Sequence, residues 1–264
     1  MRGSRAVLGL VLAVALAGCG DLGKLDKGGN HKSKGDSKSD SKSDSKGDSK
    51  GSGDDRATDP LDNPEGTKPG LAAITSDKER AKARDLIDKV PTKGRGPKTG
   101  YDRDEFGYAW ADNADDIPYA HNGCDTRNDV LKRDGEKVKF RDGSDCVLVS
   151  MTLHDPYTGK TIDWRKADAA EVQIDHIMPL SYDWQMGAAR WTDAKRKRIA
   201  NDPLNLMPVD GSQNASKGDS GPASWLPPQK RIRCSYAVRF AQVALKYDLP
   251  VTAPDKATML AQCA

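Results

Sequence analysis

The chain has 264 residues, with 42 Lys and Arg against 39 Asp and Glu and a formal net charge of +3. That balance is too small for bulk charge alone to argue for a nucleic-acid partner. No apolar run reaches the roughly 20 residues that a membrane-spanning helix needs, and the part of the chain able to fold suits one domain of ordinary size.

Arg2 and Arg5 precede a short apolar stretch, 6–17, which ends in Leu16-Ala17-Gly18-Cys19. A positive start, a brief apolar segment and small residues read as an export signal, residues 1–19, rather than as part of the fold. Leu-Ala-Gly-Cys resembles the bacterial lipobox, which implies lipid on Cys19 and a protein anchored to the outer surface of the cell membrane, or released from it. An ordinary signal peptide with an incidental Cys is the competing reading. Residues 20–69 repeat Ser, Lys, Asp and Gly, as in Lys34-Gly35-Asp36-Ser37-Lys38. With little apolar surface to bury, this stretch is expected to be a disordered tether, and His31 within it receives no role.

Residues 70–100 read as a helix and a linker. Ala83, Leu86, Ile87 and Val90 recur at helical spacing behind Ser76, a plausible N-cap. The main domain, 101–264, is expected to begin near Tyr101. Residues 126–133 read as a short helix. Residues 147–153 are β-branched and apolar, and with the turn Asp155-Pro156-Tyr157-Thr158-Gly159 and residues 161–164 they predict a hairpin. Val172-Gln173-Ile174-Asp175-His176-Ile177 alternates like a half-buried strand. Two helical stretches follow, 181–187 and 193–200, the second capped by Thr192 and stopped by Pro203. Leu204-Asn205-Leu206-Met207-Pro208-Val209 is a second short strand, closed at Asp210-Gly211, and a helix then carries Asn214 and Lys217. Residues 232–247 and 253–263 read as two more helices.

Four cysteines follow Cys19: Cys124, Cys146, Cys234 and Cys263. An even number in an exported chain favours two disulfides, and the spacings do not match a zinc site. Three pairings are open. Cys124–Cys146 and Cys234–Cys263 are expected, because each pair falls inside a local supersecondary unit.

The order of elements from 172 to 217 gathers residues of a particular chemistry. An Asp can ligate a hard cation and a neutral His can take a proton near pH 7. Neighbours on a regular strand point to opposite faces, so Asp175 and His176 can serve one site only where the strand ends. Asn214 and Lys217 are three residues apart and share a helix face. Singly, each has an ordinary reading as turn former, helix cap or solvated charge; their joint order, strand-His, strand-Asn, helix-Asn, is far less ordinary.

In that order the sequence resembles the HNH, or His-Me finger, nucleases, whose ββα-metal fold places these elements together. The flanking blocks Asn201-Asp202-Pro203-Leu204-Asn205-Leu206, Trp225-Leu226-Pro227-Pro228, Cys124-Asp125-Thr126-Arg127 and His154-Asp155-Pro156-Tyr157-Thr158-Gly159 are similar to a GmrSD-type branch of secreted bacterial proteins, over about residues 101–264. The resemblance implies an α+β fold: a small ββα-metal core with added helices and a hairpin, stapled by disulfides. It implies an endonuclease hydrolysing DNA with one Mg²⁺ or Mn²⁺ ion. Asp175 and Asn214 would be metal ligands, His176 the general base, Asn205 a brace for the loop that aims His176, and Lys217 a phosphate contact or an ordering residue. The last His that names the family is here Asn214, which favours a hard, oxygen-preferring ion over Zn²⁺. With an ordinary His pKa near 6.5, activity is expected to rise through about pH 6 to 7.

Arg127 is a weaker phosphate candidate. A structural hydrogen bond is favoured for His154, a solvated helix face for Lys195-Arg196-Lys197-Arg198, and core packing for Trp184, Trp191 and Trp225. RNA or small nucleotides are alternative substrates, and a catalytically inactive nucleic-acid-binding or scaffold lipoprotein of the same fold is the alternative function. No segment reads as an oligomerisation or protein-binding surface, so a monomer is expected.

Overall fold

A computed structural model describes residues 56–264. The signal segment, Cys19, His31 and the tether as far as residue 55 lie outside the described residues.

The tether expected to run to residue 69 ends earlier than that. From Arg56 onward the chain is tied down. The Thr58 N–H donates to the Pro69 carbonyl and the Thr58 carbonyl accepts the Ala72 N–H, Asp59 caps a 3-10 turn at Pro60–Asp62, and the Gln242 amide donates to the Pro60 carbonyl at 2.7 Å. Asn63 is buried and closes its own turn through Lys68. Proline, asparagine and glycine gave this stretch a linker's composition, yet each of these residues is spent on a turn packed against the domain. The domain therefore does not begin near Tyr101.

Helix α1 (Asp77–Asp88) starts at Ser76, whose hydroxyl accepts the Glu79 N–H. Its apolar side, Ala83 and Ile87, packs against α6 (Arg233–Lys246) and α7 (Ala253–Gln262). Helix α2 (Thr126–Asp134) is capped by Asp125. A three-stranded antiparallel sheet follows in the order β1 (Glu136–Phe140), β2 (Leu148–His154), β3 (Thr161–Arg165). The β2–β3 hairpin is the predicted one. Strand β1 is unexpected: it is an edge strand with irregular register and only two apolar residues, too weak a pattern to read from sequence.

A separate two-stranded sheet pairs β4 (Val172–His176) with β5 (Leu206–Asp210), so that His176 lies opposite Leu206. Between them runs the helical insert, α3 (Leu180–Met186) and α4 (Asp193–Asn201), and after them α5 (Gly211–Lys217), capped by Asp210. This is the ββα order. Alternation along the pair divides two cores. Val172, Ile174 and Leu206 face a smaller cluster with α2, β2 and Trp164, while Met207 and Val209 face the larger cluster built on α6.

The disulfides are Cys124–Cys146 and Cys234–Cys263. The first ties the start of α2 to the approach to β2; the second joins α6 to the end of α7. No helix among the described residues is long and apolar enough to cross a membrane.

Candidate active site

Strand β4 presents Gln173 and Asp175 on one face, and α5 lies against that face. Residues three apart on α5 meet residues two apart on β4. The Asn214 amide donates to Gln173 Oε1 at 2.9 Å, and Lys217 Nζ donates to Asp175 Oδ1 at 2.8 Å. Lys217 also donates to the His176 carbonyl at 2.7 Å, and the Tyr157 hydroxyl, from the β2–β3 turn, donates to Asp175 Oδ2. Both oxygens of Asp175 are thus held. Burial pushes the Asp175 carboxyl up and the Lys217 ammonium down, and their mutual attraction opposes both shifts.

His176 is the last residue of β4, and its ring is turned to the other face. Its Nε2 lies 2.9 Å from the Ala200 carbonyl, in the last turn of α4. A carbonyl only accepts, so Nε2 carries the proton and Nδ1 is left as the basic nitrogen. Trp110 stacks on the ring, with centroids 6.0 Å apart and planes inclined by 14°. Burial, and secondarily the Arg103 guanidinium, lower the His176 pKa to about 3. The imidazole is therefore neutral through the whole range in which sequence placed its titration, and the expected rise between pH 6 and 7 loses its physical basis.

Asn205 holds the backbone that leaves the strand. Its Oδ1 accepts the Met178 N–H at 2.8 Å, its amide donates to the Met178 carbonyl at 3.2 Å, and its own carbonyl accepts the Ile177 N–H. This clamp ends β4 at His176 and lets side chains from opposite faces reach one opening. Asp175, His176 and Asn214 all line a single cleft of about 500 Å³, walled by Lys98, Tyr101 and Arg103 and by Ser181 and Asp219.

Two candidates lie elsewhere. Lys217 is fully enclosed, its side chain 0% exposed, so its ammonium reaches Asp175 and not a phosphate in solvent. Arg127, the weaker phosphate candidate, donates to the Val172 carbonyl at the opposite end of β4 from His176. Its guanidinium anchors the strand, and it is not among the residues lining the cleft.

The basic run on α4 is engaged rather than free. Arg196 is buried against Glu105 and the Trp191 carbonyl, Arg198 pairs with Asp116, and Lys195 sits over the Trp191 ring. His154 bonds Thr161 and Glu136, and His121 pairs with Asp115, each away from the cleft. Trp184 is in the core and Trp191 and Trp225 pack against it.

Sequence reasoning passed over Trp110, Arg103 and Tyr157, because all three stand in irregular segments where periodicity carries no signal. It also passed over Asp183. That side chain is fully buried, with no hydrogen-bond partner for either oxygen among the described residues, and burial holds its carboxyl well above the usual range.

Comparison with known proteins adds two findings. A family model described as GmrSD restriction endonucleases, C-terminal domain, matches residues 125–262. A protein of Arthroderma benhamiae named "Uncharacterized secreted protein" is 38% identical over 179 residues, which cover 67% of this chain and 81% of that relative. No solved structure matches.

Proposed function

This chain belongs to the family of GmrSD restriction endonuclease C-terminal domains, and from that premise we propose that it is an exported, metal-dependent HNH-type endonuclease that hydrolyses DNA phosphodiester bonds. One observation carries the reading: Asp175, His176 and Asn214 open on the same cleft, with the imidazole fixed by a backbone carbonyl so that Nδ1 is its acceptor.

His176 is the general base. Its Nδ1 takes a proton from water, and the resulting nucleophile attacks phosphorus in line with the leaving oxygen. The Ala200 carbonyl fixes the tautomer and then stabilises the imidazolium as it forms, since Nε2 remains its donor. A neutral resting ring keeps its lone pair, and the low proton affinity that burial gives it in the free protein would be raised by the negative charge of a phosphate bound beside it. Asn205 sets the direction of the ring through the backbone at Ile177 and Met178.

Asp175 and Asn214 would hold the cation. A carboxylate has about four lone-pair sites, and Lys217 and Tyr157 occupy one on each oxygen, so Asp175 retains capacity toward the cleft. The Asn214 NH₂ donates to Gln173, which leaves the Asn214 carbonyl oxygen to ligate a cation. The described residues offer no cluster of three or more His, Cys, Asp or Glu. Two hard protein oxygens, with water and phosphate completing the sphere, fit Mg²⁺ or Mn²⁺ better than Zn²⁺. When bound, such an ion supplies Lewis-acid stabilisation of charge on the phosphate oxygens.

Export is supported by the N-terminal signal pattern, by the two disulfides and by the name of the Arthroderma benhamiae relative. We assign the lipid anchor to Cys19 and a tether role to the Ser, Lys, Asp and Gly stretch after it. Purified protein is expected to nick and linearise plasmid with Mg²⁺ or Mn²⁺, to fall silent in EDTA, and to lose activity in His176→Ala while keeping its circular dichroism spectrum. DNA retention without cleavage in either metal would overturn the enzymatic reading in favour of an inactive binder.

A further inference from the structure

The residues that crowd the imidazole from the open side do not belong to the ββα element. They lie in a 3-10 helix and the turn after it, residues 103–110, before the stretch that the family model matches. Trp110 closes this segment. Its backbone has φ of 60°, in the left-handed region that a bulky side chain seldom adopts. Such a conformation persists where the surroundings impose it, and it clusters at functional positions. Here the surroundings are plain. The Trp110 carbonyl accepts the N–H of Thr126, the first residue of α2, and the indole packs against the smaller core. The consequence is an indole laid nearly parallel on the His176 ring.

Arg103 completes a stack. Its guanidinium carbon lies 5.7 Å from the Trp110 ring centroid, within the reach of a cation–π contact. The side chain is exposed, lines the same cleft as Asp175, His176 and Asn214, and has no carboxylate partner among the described residues. The other cation of that wall, Lys98, is instead paired with Asp219 at 2.8 Å. A guanidinium held by an aromatic face, unneutralised and beside a general base, presents a flat fork of donors to an anion with paired oxygens.

Resting on the nuclease reading above, we propose that the 103–110 segment supplies two further parts of the site: Trp110 positions His176, and Arg103 takes the non-bridging oxygens of the phosphate to be cut. The two functions are separable. Arg103 touches substrate and acts in binding. Trp110 acts only through His176, by denying the ring its alternative rotamers and shielding one face from water.

The test uses the full-length chain and the variants Arg103→Gln, Arg103→Lys, Trp110→Ala and Trp110→Phe. Oligonucleotide binding, read by fluorescence anisotropy in EDTA over a range of salt, needs no turnover. Arg103→Gln is expected to weaken binding by about 10- to 100-fold. It should also flatten the plot of log affinity against log salt by about 0.7–0.9, the value of one phosphate contact. Arg103→Lys should keep the slope and lose part of the affinity. Histidine ring protons, read by NMR, report on Trp110: those of His176 should carry an indole ring-current shift that disappears in Trp110→Ala, while His31, His121 and His154 stay put. In cleavage assays Arg103→Gln should act mainly on KM, and Trp110→Ala on kcat with recovery in Trp110→Phe.

An unchanged salt slope in Arg103→Gln, or His176 resonances indifferent to Trp110→Ala, overturns the corresponding half of the proposal even if the wild type cuts DNA well. If the wild type cuts nothing while slope and resonances respond as described, the arrangement stands and the nuclease reading fails.

Discussion

Replacing Lys217 by Met gives the sharpest check on how the site is held. The substitution keeps the apolar stem and removes the ammonium. In the folded protein that ammonium is 0% exposed and makes two short hydrogen bonds, one to Asp175 at 2.8 Å and one to the His176 carbonyl at 2.7 Å. Hydrogen bonds to a charged group contribute about 1.5–3 kcal/mol each. Breaking a buried ion pair by removing one partner costs about 3–5 kcal/mol, because the remaining charge is stranded. The two routes overlap near 3–5 kcal/mol, a large share of a total stability of about 5–15 kcal/mol. Equilibrium urea unfolding at 10 °C and pH 7, followed by tryptophan fluorescence, reads this loss as a fall in midpoint at constant slope. The double variant Lys217→Met/Asp175→Asn removes the stranded charge and should recover at least 1 kcal/mol of the loss, a non-additivity that reports contact between the two. Were Lys217→Met to cost less than about 1 kcal/mol, or the double variant to be additive, the buried pair described here would be wrong. The alternative role, a solvent-facing phosphate contact, would then return, with a reduced salt slope in DNA binding as its mark.

Other outcomes follow from the same geometry. The His176 pKa, lowered to about 3 by burial, lies below the unfolded value of 6.5. Between those values the unfolded chain holds a proton that the folded chain refuses. Stability is then fully present above pH 6.5 and falls on acidification, by about 2 kcal/mol from pH 7 to pH 5. Measured in EDTA, the difference in that slope between wild type and His176→Gln should show this loss, and parallel profiles would refute it. Asn205→Ala should cost about 2–4 kcal/mol in urea unfolding, because the Met178 N–H and carbonyl lose their buried partner; a neutral result would remove Asn205 from the site. The double variant Cys234→Ala/Cys263→Ala opens a loop with a sequence separation of 29 and should lose about 3.5 kcal/mol on the chain-entropy account. An unchanged midpoint against the oxidised wild type would count against that account.

Much of the ββα element was legible in the chain. Val172 to Ile177 alternates as a strand does, although β4 proves buried on both faces, and Ser76 and Thr192 are cap residues read correctly from their side-chain chemistry. Pairing of the cysteines followed from locality. Solvent exposure on a short helix was another matter. Spacing put Asn214 and Lys217 on one side of α5, but nothing in spacing says that the far end of that side lies under the sheet, so Lys217 was assigned to phosphate as one of two roles. Trp110 and Arg103 escaped for a different reason. They stand in a short segment with two left-handed residues, Gly107 and Trp110, and no repeating pattern, and only tertiary packing decides what such a segment faces. The same holds for the 56–69 segment, where a linker's composition conceals turns that are individually anchored.

The Ala200 carbonyl has a consequence for how this fold can vary. The insert between β4 and β5 is a connection, and connections at a protein surface ordinarily tolerate changes of length. Here the final helical turn of the insert is the support on which the imidazole leans, and Asn205, a few residues on, reaches back to the Ile199 carbonyl as well. The stretch before α4 offers little slack either, since Ala188 is fully buried and Trp191 packs against the core. A single residue gained or lost between Thr192 and Asn205 would rotate α4 by about 100° and swing that support away from the ring, disarming the site without touching any residue in it.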